Sequence, residues 1–172
     1  MQGFFTNLIP MLTPETKTKV FTPQEARPKA EHYCAYQERS QQEMRNKLYE
    51  WGLHERDVEM IISELIENNF LNEERFALAY TSGKFRIKGW GKVKIRQGLK
   101  LRRVPDKLIA KSMQKIDPDD YVEKLRHLLL KKSALLKEKD PFKRRYKLVQ
   151  YAISRGFEKD LIYDILKDKD LE

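Results

Sequence analysis

The sequence predicts an all-α protein built from three tandem three-helix repeats that form an elongated, curved modular array. Three observations carry this reading: a helix-favouring composition, a series of helix-start signals, and an internal repeat. Charged residues make up 35% of the 172 and hydrophobic residues 40%, while glycine and proline number only seven each. Lys, Glu, Leu and Arg dominate, and strand-favouring runs are scarce, a balance that suits amphipathic helices.

Helix starts come next. Thr22-Pro23-Gln24-Glu25 is a capping box with proline at the first helical position. Pro28 follows closely and either kinks this helix or marks its true start. Ser40-Gln41-Gln42-Glu43 is a second capping box, whose hydroxyl satisfies a free amide while the glutamate reaches back to the cap. Further starts are expected at Asn72, at Val104-Pro105, at Asp117-Pro118 and at Asp140-Pro141. Stops are expected at Gly52, Asn68-Asn69, Gly89 to Gly91, and Gly156.

The repeat supplies the architecture. Met44, Leu48, Gly52, Val58 and Ile62 form one set; Ile95, Leu99, Arg103, Ile109 and Met113 a second; Leu148, Ala152, Gly156, Ile162 and Leu166 a third. The internal spacing is the same each time, four, four, six and four residues, and the sets are offset by 51 and 53. Each set describes an apolar i, i+4 stripe, a tight turn and a second helix with the same stripe. A further helix precedes each pair, over 23–37, 72–87 and 118–136. The expected organisation is a flexible or docking N-terminal arm over 1–22, then repeats over 23–70, 71–116 and 117–172. Three short helices bury little surface alone, so neighbouring units should stack.

Charge narrows the function. The net formal charge is +9, an excess that points to a polyanionic partner or, at the least, to a solubilising surface. No acid lies between Arg75 and Pro105, whereas Lys84, Arg86, Lys88, Lys92, Lys94, Arg96, Lys100, Arg102 and Arg103 do. The third repeat adds Lys131, Lys132, Lys143, Arg144, Arg145 and Lys147. Asp57, Glu59, Glu64, Glu67, Glu73 and Glu74 instead fall in a stretch without Lys or Arg. On the helix after Gly91, Val93, Ile95 and Leu99 should point inward, and Lys92, Lys94, Arg96, Lys100 and Arg102 outward. Such a face either contacts phosphates without sequence preference or is simply solvated. Gly89-Trp90-Gly91 suits a sharp interhelical turn needing positive φ, where Trp90 either plugs the gap between helices or stacks on a base.

Several classes are disfavoured. The single cysteine, Cys34, permits no internal disulfide and reads as a small core residue, which fits a reducing compartment. No run approaches a membrane span, and the first basic residue, Lys17, follows the apolar N-terminal stretch, so a cytoplasmic location is expected. His32, His54 and His127 show no metal-ligand spacing, and no phosphate loop or catalytic constellation is visible. No metal, no cofactor and no enzymatic role are expected.

The residues also carry a family pattern. Glu38-Arg39-Ser40, Glu43, Met44, Lys47, Leu48 and Gly52-Leu53 belong to it in the first repeat. In the second they are Leu71-Asn72-Glu73-Glu74-Arg75-Phe76-Ala77, Arg86, Gly89-Trp90-Gly91, Ile95, Leu99 and Val104. In the third they are Arg155-Gly156-Phe157 and Ile162. From about Glu31 to Leu166 the chain resembles the RecX family of RecA regulators. It departs from that pattern at Cys34, where a larger aliphatic residue is usual, at Gln37, where a basic residue is frequent, and at Arg103, which replaces a glycine.

The resemblance implies a modulator of RecA, usually an inhibitor, that binds along the RecA–single-stranded-DNA filament. It implies effects on ATPase, strand-exchange and co-protease activities, direct DNA binding, and a role in DNA repair. The residues expected to form the RecA- or DNA-binding face are Arg86, Lys88, Lys92, Lys94, Arg96, Lys143, Arg144 and Arg145, and a monomer is expected. The alternatives are a helix-turn-helix-like DNA-binding module and a protein-only scaffold.

Overall fold

A computed structural model describes residues 20–167 of the chain. Most of the expected arm over 1–22 therefore lies outside the described residues. Within them are nine helices and no strand: α1 (Pro23–Tyr36), α2 (Gln41–Glu50), α3 (Glu55–Glu67), α4 (Glu73–Arg86), α5 (Lys92–Leu101), α6 (Asp106–Met113), α7 (Pro118–Leu135), α8 (Pro141–Arg155) and α9 (Lys159–Ile165). The helices pack chiefly within successive triplets, α1–α3, α4–α6 and α7–α9.

The predicted caps form. Thr22 and Ser40 both make reciprocal capping boxes, with Glu25 and Glu43 as their partners. Asn72, Asp117 and Asp140 accept first-turn amides of α4, α7 and α8. Pro28 neither starts nor breaks its helix; α1 begins at Pro23 and continues through Pro28 to Tyr36.

The turn inside each repeat is the same device three times. Gly52, Arg103 and Gly156 occupy equivalent register positions and all lie in the left-handed region, at φ 84°, 56° and 90°. After each, an amide closes back on the preceding helix: Leu53 N–H on the Leu48 carbonyl, Val104 on Leu99 and Phe157 on Ala152, each at 3.2 Å. Leu53, Val104 and Phe157 are all buried. This is the six-to-one hydrogen bond and apolar contact that close a helix through a left-handed residue. The departure at Arg103 therefore changes the residue and keeps the turn.

The buried side chains form two cores. One belongs to the first unit, with Ala30, Met44, Leu48, Val58, Ile62 and Leu65 among its members. The other runs continuously through the second and third units, from Phe76, Ile95 and Leu99 to Leu125, Leu148 and Ile162. Cys34 lies in the first core, with its Sγ 3.7 Å from the Met44 sulfur, and burial pushes its thiol pKa up to about 11. It is a packing residue, and little thiolate exists near neutral pH.

Candidate functional site

The longest acid-free stretch of the chain ends up at the junction between the second and third units. Here α5 begins where α8 ends. A helix N-terminus leaves free amides and a C-terminus leaves free carbonyls, and the two sets meet. The Gly91 and Val93 amides donate to the Arg155 and Gly156 carbonyls at 2.9 and 3.0 Å. The Lys92 amide donates to the Tyr121 hydroxyl at 2.8 Å, and that hydroxyl donates to Glu158 at 2.7 Å. Burial and the Glu158 carboxylate raise the Tyr121 pKa far above the phenolic range, so the hydroxyl stays protonated and able to donate.

Close approach explains the glycine at position 91. A Cβ there would overlap the Gly156 carbonyl. Gly91 itself has an ordinary extended backbone, φ −78°, whereas Gly89 takes φ 61°. Only the first glycine of the Gly-Trp-Gly turn thus serves the expected positive φ; the second serves contact between units.

Around this junction cations gather. The Lys94 ammonium donates to the Ser154 carbonyl at 3.0 Å, at the end of α8. Arg155 returns the contact, donating to the Lys88 carbonyl at 3.1 Å, and Lys124 reaches the Arg86 carbonyl at 3.4 Å. Positive side chains at carbonyl-rich helix ends are favourable by roughly 0.3–1 kcal/mol each. Trp90 is half-buried against the shared core, with the Lys84 and Lys94 ammonium groups 4.9 and 4.8 Å from its ring. Lys92 lies 4.5 Å from the Tyr121 ring. Trp90 thus plugs the junction while two cations lie over its ring.

The expected outward face of α5 needs correction. Ile95, Gly98 and Leu99 form the buried stripe, and Val93 is 36% exposed. Two residues before Ile95 lies the far side of a helix, so Val93 cannot share its face. Lys92 and Lys94 flank the stripe and are half-buried. Arg102 is drawn inward too, where its Nε donates to Glu43 of the first unit at 2.7 Å.

The other candidate residues divide cleanly. Arg86, Lys88 and Arg96 are exposed. On α8, Lys143 is exposed, but Arg144 and Arg145 are half-buried. Arg144 donates to the Ser133 hydroxyl and to the Ser133 and Leu136 carbonyls, closing the end of α7. Arg145 donates to the Leu166 carbonyl at 3.0 Å. Lys84, Lys124 and Arg155 were absent from the sequence-based set. Arg155 belongs to the Arg-Gly-Phe motif; the carbonyls that bind Lys124 and Arg155 meet them only once the units are docked, and Lys84 lies over the Trp90 ring.

Much of the acidic stretch is used internally. Glu59 pairs with Arg45, Glu64 with Arg27 and Glu74 with Lys111. Glu73 accepts the Gln41 amide at the start of α2, and Glu38 pairs with Arg75. The first unit is therefore joined to the second by polar contacts, Glu38–Arg75, Glu43–Arg102 and Glu73–Gln41, where the second and third share a core. No group of three or more His, Cys, Asp or Glu among the described residues is placed to hold a metal ion. No helix among them is long and apolar enough to cross a membrane.

Each of the three units matches a profile of its own. Residues 26–65, 72–113 and 119–166 match the first, second and third three-helix domains of RecX. The chain belongs to the RecX family. Regulatory protein RecX of Clostridium acetobutylicum is 32% identical over 76% of this chain and 62% of its own length. That of Haemophilus influenzae strain PittEE is 31% identical over 75% of this chain and 84% of its own. The chain spans about three fifths of the length of the clostridial relatives. The crystal structure of RecX from Lactobacillus salivarius superposes with a TM-score of 0.76 at 23% identity, covering 87% of this chain and 97% of that one. That likeness shows the shared fold. The relatives of this RecX family member are named regulatory proteins.

Proposed function

We propose that this chain is a non-enzymatic regulator of RecA, most simply an inhibitor. It binds the RecA–single-stranded-DNA filament and lowers the filament's ATPase, strand-exchange and co-protease activities. The observation that carries the reading is the cluster of cations that the acid-free stretch between Arg75 and Pro105 brings to the junction of the second and third units. There Arg86, Lys88 and Arg96 are exposed on a body stiffened by one continuous core. A rigid basic surface suits a polyanionic filament better than a flexible one, because less ordering entropy is lost on docking. The array lies in the filament's helical groove, bridges neighbouring protomers and opposes the conformational cycle linked to ATP hydrolysis.

The test is the single-stranded-DNA-dependent ATPase of RecA, titrated with this protein at sub-stoichiometric ratios. A marked fall at few copies per filament is expected; no change at saturating protein removes the mechanism. The variant of choice is Arg86→Glu/Lys88→Glu/Arg96→Glu, because Lys92 and Lys94 also hold the units together. It should weaken filament binding by about tenfold or more and flatten its salt dependence. Unaltered binding with helicity retained places the contact elsewhere.

A further inference from the structure

We propose that the start of α8 carries a stacking site for the bases of single-stranded nucleic acid, formed by Phe142 and Tyr146. These residues are 81% and 60% exposed and stand four apart on one helix, so they share a face. Neither belongs to the core that holds the third unit together.

Their surroundings select the ligand. Between residues 131 and 147 the chain has eight Lys or Arg and two acids. Neither acid is left facing outward alone: Glu138 is tied to Lys147 at 2.8 Å, and Asp140 accepts the Lys143 amide as the cap of α8. Beside Phe142 opens a groove of about 500 Å³, bounded by Lys139, Pro141, Arg144, Arg145, Leu148 and Leu166. Arg144 and Arg145 are held in place there by the carbonyls at the ends of α7 and α9. A surface of fixed cations around solvent-facing rings is the chemistry that binds a polyanion with flat apolar units. Phosphates meet the cations and bases stack on the rings, with little dependence on sequence. An acidic protein surface would use the cations and leave both rings idle.

The site concerns free single strands, and its test contains no RecA, so it stands or falls separately from the filament reading. The 172-residue chain is titrated into a fluorescently labelled oligothymidine and into an abasic strand of the same length, read by anisotropy. The expected result is tighter binding to oligothymidine than to the abasic strand. Phe142→Ala/Tyr146→Ala should cost about ten- to a hundredfold on oligothymidine, while abasic binding and the salt slope stay unchanged. Phe142→Trp should retain oligothymidine binding, and Lys139→Gln/Lys143→Gln should weaken both strands alike. The proposal is overturned if the double alanine variant, with helicity intact, binds oligothymidine as the wild type does. It is equally overturned if that variant loses both strands in parallel, or if a poly-glutamate peptide competes as well as oligothymidine.

Discussion

At the level of single residues, the turn position shared by Gly52, Arg103 and Gly156 is the most informative. A left-handed backbone costs a residue with a Cβ roughly 1–2 kcal/mol, yet Arg103 adopts φ 56°. It is held there by the Val104 amide on the Leu99 carbonyl and by burial of Val104. The Arg103 side chain is exposed, so removing it sacrifices little packing. Arg103→Gly should raise stability by about 0.5–1 kcal/mol, the relief of strain being partly offset by the added freedom of the unfolded chain. Urea unfolding followed by circular dichroism reads this directly, and a loss of stability would show that the guanidinium has a structural partner. Gly156→Ala should do the opposite and more strongly, because its Cβ would also overlap Lys94. The equivalence of these three positions was legible in the sequence as a spacing. The tolerance of arginine at one of them was not, since it depends on what the following residue buries.

At the level of helices, each second helix of the first two units is capped by the unit that follows. The first-turn amide of Gln41 is met by Glu73 of α4, and that of Lys92 by Tyr121 of α7. Lys92 and Lys94 stand at the positive end of their own helix, where a cation is unfavourable in isolation. The carbonyl end of α8 opposite them reverses that penalty. This is why an outward binding face was read where two lysines serve partly as junction residues. Helix starts and stops are local events and were legible; which helix end meets which is a tertiary fact and was not. Glu73 yields a prediction of pH dependence. Burial raises its pKa above the ordinary glutamate value of 4.5, so the folded state holds its proton more tightly than the unfolded chain. The stability it contributes is complete below 4.5 and is lost as pH rises through the raised folded value. Glu73→Gln keeps an acceptor for the Gln41 amide and removes the buried charge. The variant should gain on wild type as pH rises from 4 to 8, measured as the difference in melting temperature. A constant difference across that range would show that Glu73 is effectively solvated.

At the level of the whole molecule, two cores imply two stabilities. The repeat predicted three equal units, and the sequence contains nothing that says two of them fuse. Fusion arises because Gly91 lets backbones touch and because Trp90, Tyr121 and Phe157 fill the space between the second and third units. The first junction buries Leu71 of the second unit in the first core and otherwise relies on the Gln41–Glu73 hydrogen bond and on Glu38–Arg75 and Glu43–Arg102, pairs with side chains about a third exposed. Pairs of that exposure contribute about 0–1 kcal/mol each and weaken as salt screens them. The first unit should therefore open on its own, ahead of the rest. Native-state hydrogen exchange resolves this residue by residue. Amides of Leu48, Ile62 and Leu65 should exchange through a lower-energy opening than those of Leu99, Leu125 and Leu148. Raising salt to about 1 M, where the Debye length is about 3 Å, should widen the gap. Glu43→Gln/Arg102→Met should reduce that salt effect, leaving the part due to Glu38–Arg75, with the slowest amides of the second and third units unaltered. If all six amides instead share one opening free energy at every salt concentration, the first junction is as strong as the second. The chain would then behave as one rigid body rather than as a stiff pair of units with a separately mobile first unit.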